Sequence, residues 1–97
     1  MAKYVTLYQF TDQGIRGVKD SPTRLKAGIQ KAESAGMKVL GAYYTQGGYD
    51  LVVISEAADE NMAMAFALGQ AAQGNVRSTT MRAFDPAEFE AIVKLVP

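Results

Sequence analysis

The sequence predicts an α+β fold in which one four-stranded antiparallel sheet carries two helices and an extra C-terminal helix follows. Three observations predict it. Two β-rich runs, residues 38–46 and 49–55, flank Gly47-Gly48 and read as a central hairpin. Each side of that turn holds one strand–helix–strand unit of about 40 residues, the pattern of the split β-α-β, ferredoxin-like fold. Both helical segments also carry recognisable start signals.

Taken in order, residues 4–10 (Tyr4 to Phe10) are β-branched and aromatic and read as the first strand. Residues 11–20 form a polar connection, long for a βα loop, in which Ile15 and Val18 are spaced for a single helical turn. Ser21-Pro22 reads as an N-cap followed by proline at the first helical position. Leu25, Gly28, Ile29, Ala32 and Ala35 then make one small-residue helix face, stopped by Gly36, with Met37 placed to pack back over the last turn. After the hairpin, Asp59 caps a second helix over residues 60–73 that is apolar on most of its circumference, with Met62, Phe66, Met64 and Leu68 on different sides. Such a helix is expected to be covered on two sides, the second by another subunit. Residues 76–84 read as the fourth strand. Asp85-Pro86-Ala87-Glu88 is a capping box that opens a short helix with Phe89, Ile92, Val93 and Val96 on one face.

Right-handed crossovers place the strands in the order 4-1-3-2 with both long helices on one face. A two-residue turn pairs Gln46 with Tyr49, Tyr44 with Leu51 and Ala42 with Val53. Leu40, Ala42, Tyr44, Tyr49, Leu51 and Val53 then face the helices, joined by Val5, Leu7, Thr79, Met81 and Ala83. The open face is expected to carry Tyr4, Thr6, Tyr8, Val39, Tyr43, Thr45, Asp50, Val52, Ile54, Ser78, Thr80 and Arg82. An uncovered, half-apolar sheet face predicts a homodimer or higher homo-oligomer closed face to face, of the dimeric α/β barrel type.

Composition narrows the function. Ninety-seven residues suggest a single domain spanning 1–97, and 48% apolar content is that of an ordinary globular chain. Ten basic and ten acidic residues cancel, which argues against a nucleic-acid or anionic-membrane partner. With no Cys and no His, thiolate chemistry, the commonest metal ligand and the commonest general base are missing. No metal or other cofactor is expected. Met1 leads straight into a strand pattern without a signal-peptide pattern, so a cytoplasmic location is expected.

The topology brings the exit of the first strand, the Gly-Gly turn and the exit of the second helix to one end of the sheet. Thr11, Gln13, Arg16, Tyr43, Tyr49, Asp50 and Arg77 form the expected ligand-binding group there. Tyr49 and Asp50 are the candidate catalytic pair, with the carboxylate as base or hydrogen-bond acceptor. Alternatively, Asp50 ties the long first connection down through backbone N–H groups or Arg16, which a loop of that length needs. Ser78-Thr79-Thr80 has hydroxyls but no base to activate them, and Gly47-Gly48 lacks the other glycines of a phosphate loop. Among the acids, Asp59 and Glu60 are explained as helix-start residues rather than cation ligands.

Gly48-Tyr49-Asp50 after a Tyr-rich strand resembles the motif of the GYD-domain family. The segments Thr11-Asp12-Gln13-Gly14-Ile15-Arg16 and Gly74-Asn75-Val76-Arg77 are similar to that family's pattern, and the resemblance covers nearly the whole chain. It implies a ferredoxin-like subunit of the dimeric α/β barrel superfamily, whose members include cofactor-free monooxygenases, lactone isomerases and haem enzymes. The missing His argues against the haem type. Two functions are therefore expected in competition. One is a homo-oligomeric small-molecule-binding protein, acting as a cofactor-independent oxygenase or isomerase. The other is a non-catalytic regulatory or assembly module in which the same residues are structural.

Overall fold

A computed structural model describes residues 1–97. Strand β1 (Ala2–Phe10) leads into a short helix, α1 (Asp12–Arg16), and a single 3-10 turn over Val18–Asp20. The chain continues through α2 (Ser21–Ser34), β2 (Lys38–Tyr44), β3 (Leu51–Ala57), α3 (Glu60–Ala72), β4 (Val76–Ala83) and α4 (Pro86–Val93). The sheet order is β2-β3-β1-β4, which reads 4-1-3-2 from the other edge, and every neighbouring pair is antiparallel. The first connection is thus more helical than its polarity suggested, because Thr11 caps α1 with its side chain. No helix is long and apolar enough to cross a membrane.

The helix signals differ in how they are used. Gly36, at φ +88°, lets the Met37 N–H donate back to the Ala32 carbonyl at 2.9 Å, and Met37 is buried as expected. Asp59 accepts from the Asn61 N–H, and Asp85 and Glu88 form the full reciprocal capping box. Ser21 behaves otherwise. It is the first residue of α2, and its hydroxyl, rather than capping the helix, lies 2.9 Å from the Tyr44 hydroxyl.

The hairpin holds Tyr44 opposite Leu51 and Ala42 opposite Val53, as its parity requires. Gln46 and Tyr49 do not pair. Both strands stop short of them, and the loop is closed by the Thr45 N–H donating to the Asp50 carbonyl and the Thr45 hydroxyl donating to the Tyr49 carbonyl. Further along β2 a bulge leaves Leu40 unpaired between Val39 and Gly41. This one-residue shift turns Val39 onto the helix face, the reverse of the strict-alternation expectation.

The central correction concerns β1 and β4. Thr6 lies opposite Val53 and Thr80, Tyr8 opposite Leu51 and Ser78, and Tyr4 opposite Ser55 and Arg82. Tyr4, Thr6 and Tyr8, with Ser78, Thr80 and Arg82, therefore face the helices, whereas Val5, Leu7, Thr79, Met81 and Ala83 lie on the open face. The reason is volume. The helices present Ala32 and Ala63 to the sheet, and the Tyr4 ring fills the space above such small residues better than Val or Leu would. Tyr4, Ala32, Met37, Ala57 and Ala63 form the buried cluster, with Phe66 packed against it. The open face consequently carries Val5, Leu7, Val52 and Ile54 at its centre, all half-buried in the single chain.

Helix α4 is held at its start by charge. Lys3 Nζ lies 3.5 Å from Asp85 and 3.7 Å from Glu88, and Arg82 lies 3.7 Å from Glu88. Its apolar side is uncovered, with Phe89 59% exposed and Val93 50%. The Asp85 carboxyl is held below its ordinary value of 3.8, chiefly by the hydrogen bond from the Glu88 N–H and then by Lys3, against an opposing effect of desolvation. A lowered folded-state pKa contributes stability above the ordinary value that is lost as pH falls below it. Amide exchange should therefore show α4 protected without change from pH 7 to about pH 5 and fraying below about pH 4. Asp85→Asn, which keeps a capping oxygen, should remove much of that acid limb.

Candidate functional site

The end of the sheet where the first strand exits is closed by a dense set of hydrogen bonds between distant segments. The Thr11 hydroxyl accepts from the Gly14 N–H at 3.1 Å and donates to the Gly74 carbonyl at 2.5 Å, while the Thr11 N–H donates to the Asn75 carbonyl at 3.1 Å. Gln13 Nε2 donates to the Gln73 carbonyl and to Asn75 Oδ1 at 3.1 and 3.0 Å. Gly14 is buried against this connection, so closely that a Cβ there would stand 1.9 Å from the Asn75 carbonyl oxygen. Only glycine allows the approach.

Asp50 works from the other side. Its N–H donates to the Tyr8 carbonyl at 2.8 Å, and its Oδ2 accepts from the Phe10 N–H at 2.8 Å. Both bonds extend the β1–β3 pairing past Leu51, and the second satisfies a Phe10 N–H that lies beyond the end of the β3 ladder. Gln9 Nε2 reaches the Gly48 carbonyl at 2.9 Å and ties the turn to the same strand.

Of the residues expected to converge, Thr11, Gln13 and Asp50 meet here through backbone groups. Tyr49 contributes its carbonyl, and its side chain is exposed. Tyr43 stands 64% exposed on the open sheet face, opposite Val52. Arg77 lies opposite Gln9 on that open face, and Arg16 ends α1 in solvent. Neither arginine forms an ion pair with Asp50; the ion pairs of the protein all involve Lys3 or Arg82. No three acidic side chains come together in a set that would hold a metal ion.

A cavity of about 80 Å³ lies elsewhere, between α2 and α3 above the sheet. Leu25 and Ile29 wall it on one side and Phe66 on the other, over Phe10, Leu51 and Val53. None of the seven expected ligand-binding residues lines it. Its polar groups are Arg24, Ser21, Tyr8 and the amides of Gln70, Gln73 and Asn75. Burial pushes the Tyr8 hydroxyl pKa up, so it remains a neutral donor and acceptor through the physiological range. The sequence carried one signal of this site: Arg24, Gly28 and Ala32 recur at intervals of four, which puts a guanidinium on the inward face of α2.

If Asp50 serves as a backbone tie, Asp50→Ala should destabilise the fold by about 1.5–3 kcal/mol, the range for a hydrogen bond to a charged group. Asp50→Asn, which retains an oxygen for the Phe10 N–H, should cost less than half as much. Urea denaturation of the two variants measures the difference.

The comparisons with known proteins agree with the motifs. The family model of the GYD domain matches residues 4–93. A protein of Thermus thermophilus, the "Glutamine synthetase and cystathionine beta-lyase binding protein", is 30% identical over 95 residues. The alignment spans 97% of this chain and the whole of that relative. With nearly its full length matched, from β1 into α4, the chain belongs to the GYD domain family.

Proposed function

We propose that this protein is a non-catalytic module that binds and regulates metabolic enzymes, and that it does so as a homo-oligomer. The observation that carries the reading is the employment of Asp50. Asp50 spends one carboxylate oxygen on the Phe10 N–H and forms no ion pair. The family motif then shapes the end of the sheet instead of performing a reaction. The relative's name, which describes binding to glutamine synthetase and cystathionine beta-lyase, supports the same reading.

Two uncovered surfaces divide the work. The open sheet face, centred on Val5, Leu7, Val52 and Ile54, suits a second copy of the chain, the closure of a dimeric α/β barrel. The outer side of α3 exposes Met64 by 61% and Leu68 by 59%, one helical turn apart, and suits the partner enzyme. Unbranched methionine adapts to more than one partner surface, which fits a protein that recognises different enzymes.

Mixed with glutamine synthetase or cystathionine beta-lyase of its own organism, the protein should co-elute with at least one of them in size-exclusion chromatography. Leu68→Glu should weaken that complex about tenfold or more, and Asp50→Asn should leave it intact. Failure to bind either enzyme, with a purified substrate turned over instead, would reject the reading.

Sedimentation at micromolar concentration should show at least twice the 10.4 kDa mass of the chain. Ile54→Lys, placing a charge at the centre of the open face, should shift the protein to monomer.

A further inference from the structure

Helix α4 is strongly started, yet its apolar side lies uncovered by its own chain. Its first turn is fixed by the reciprocal bonds of Asp85 and Glu88 and by Pro86 at the first helical position. Past that turn, every residue from Phe89 to Pro97 is exposed. Leu95, at 81%, is more exposed than Phe89 or Val93. A helix of eight residues is too short to persist alone, since isolated helices below about 12–15 residues are marginal in water. The chain as a whole is drawn out, measuring 50 × 31 × 19 Å. Its radius of gyration is 14.6 Å, against about 12.5 Å for a compact domain of this length.

Two observations point to what covers the arm. The first is where it starts. Lys3, whose Nζ holds Asp85 and Glu88, shares the open sheet face with Val5 and Leu7 by strand alternation, opposite Glu56 and Ala83. Helix α4 therefore starts at the rim of that open face, with Glu88 also held by Arg82. The second is size. Val5, Leu7, Val52 and Ile54 are each half-buried already, whereas a stable interface engages about 20–30 residues a side. The face alone falls short. Phe89, Ile92 and Val93, on one side of the arm, supply apolar surface next to it.

We propose that α4 is a clasp for a second copy of this chain. The copy seated on the open sheet face covers Phe89, Ile92 and Val93, and its own α4 is covered in return. The inference rests on the homo-oligomer reading above and names the element that completes that interface. In a two-fold pair the exchange is reciprocal, so one interface holds both arms.

The test is sedimentation equilibrium of the full chain and three α4 variants over a range of protein concentrations. Val93→Lys puts a charge on the apolar side while suiting the C-terminal end of the helix dipole, and Phe89→Ala removes a ring while raising helix propensity. Both residues are exposed in the single chain, so neither change unfolds it. Each should weaken self-association by about tenfold or more. Ala91→Lys, with the same charge on the opposite side of the helix, should leave it unchanged. Amide exchange in α4 should slow as protein concentration rises, in step with the associated fraction. Undiminished self-association of Val93→Lys and Phe89→Ala, equal weakening by Ala91→Lys, or α4 exchange that ignores protein concentration would each overturn the proposal. So would weakened co-elution with glutamine synthetase or cystathionine beta-lyase at unchanged self-association, since α4 would then serve the enzyme. In those cases the homo-oligomer reading stands if Ile54→Lys still dissociates the protein. A monomer at every concentration would end both.

Discussion

The packing of large sheet side chains against small helix side chains governs this structure. The helices offer Ala32 and Ala63 at the buried cluster, so the space between the layers must be filled from the sheet. Tyr4 supplies the volume there, and the antiparallel register then commits every residue of β1 and β4 to one face. From that commitment follow the aliphatic open face, the hydroxyl-bearing interior and the room left between α2 and α3 where the filling is incomplete. A protein interior packs at near-crystalline density, so the side with the bulk deficit attracts the larger rings even when they are the more polar residues.

A second constraint acts at the sheet end. The chain leaves β1 through a connection over residues 11–20 that must satisfy its own backbone groups, and it does so across long sequence distances. Thr11 and Gln13 reach Gly74 and Asn75, while Asp50 reaches Phe10. The segments that carry the family pattern are therefore the ones that join this corner together, and Thr11, Gln13 and Asp50 each bond a backbone group there. A shared motif in this family can mark a common architecture without marking a common reaction. Glycine enters the corner for the same reason, since Gly14 sits where the Asn75 carbonyl leaves no room for a side chain.

The surfaces left over are apolar and belong to different elements: the open sheet, the outer side of α3 and the apolar side of α4. On a chain of 97 residues, that leaves uncovered apolar surface on three separate elements.

Local chemistry made much of the fold legible in advance. The split β-α-β order, the Gly36 stop with Met37 folded back, the Asp59 cap and the Asp85–Glu88 box depend on neighbours within a turn or two, and all were readable from residue type and spacing. The grouping of Thr11, Gln13 and Asp50 at one end was readable too, because topology alone brings those segments together. The faces of β1 and β4 were not, since alternation offers two equivalent choices and only the volume of Ala-lined helices selects between them. The Leu40 bulge, which changes the parity of Val39, had only the neighbouring Gly41 inside the strand as its signal. Arg24 shows the same division most clearly. Its inward helical position belongs to the sequence, but its buried, unpartnered Nη2 arises only when α2 and α3 stand apart over the sheet, because burial is a property of the assembled layers and not of any one segment.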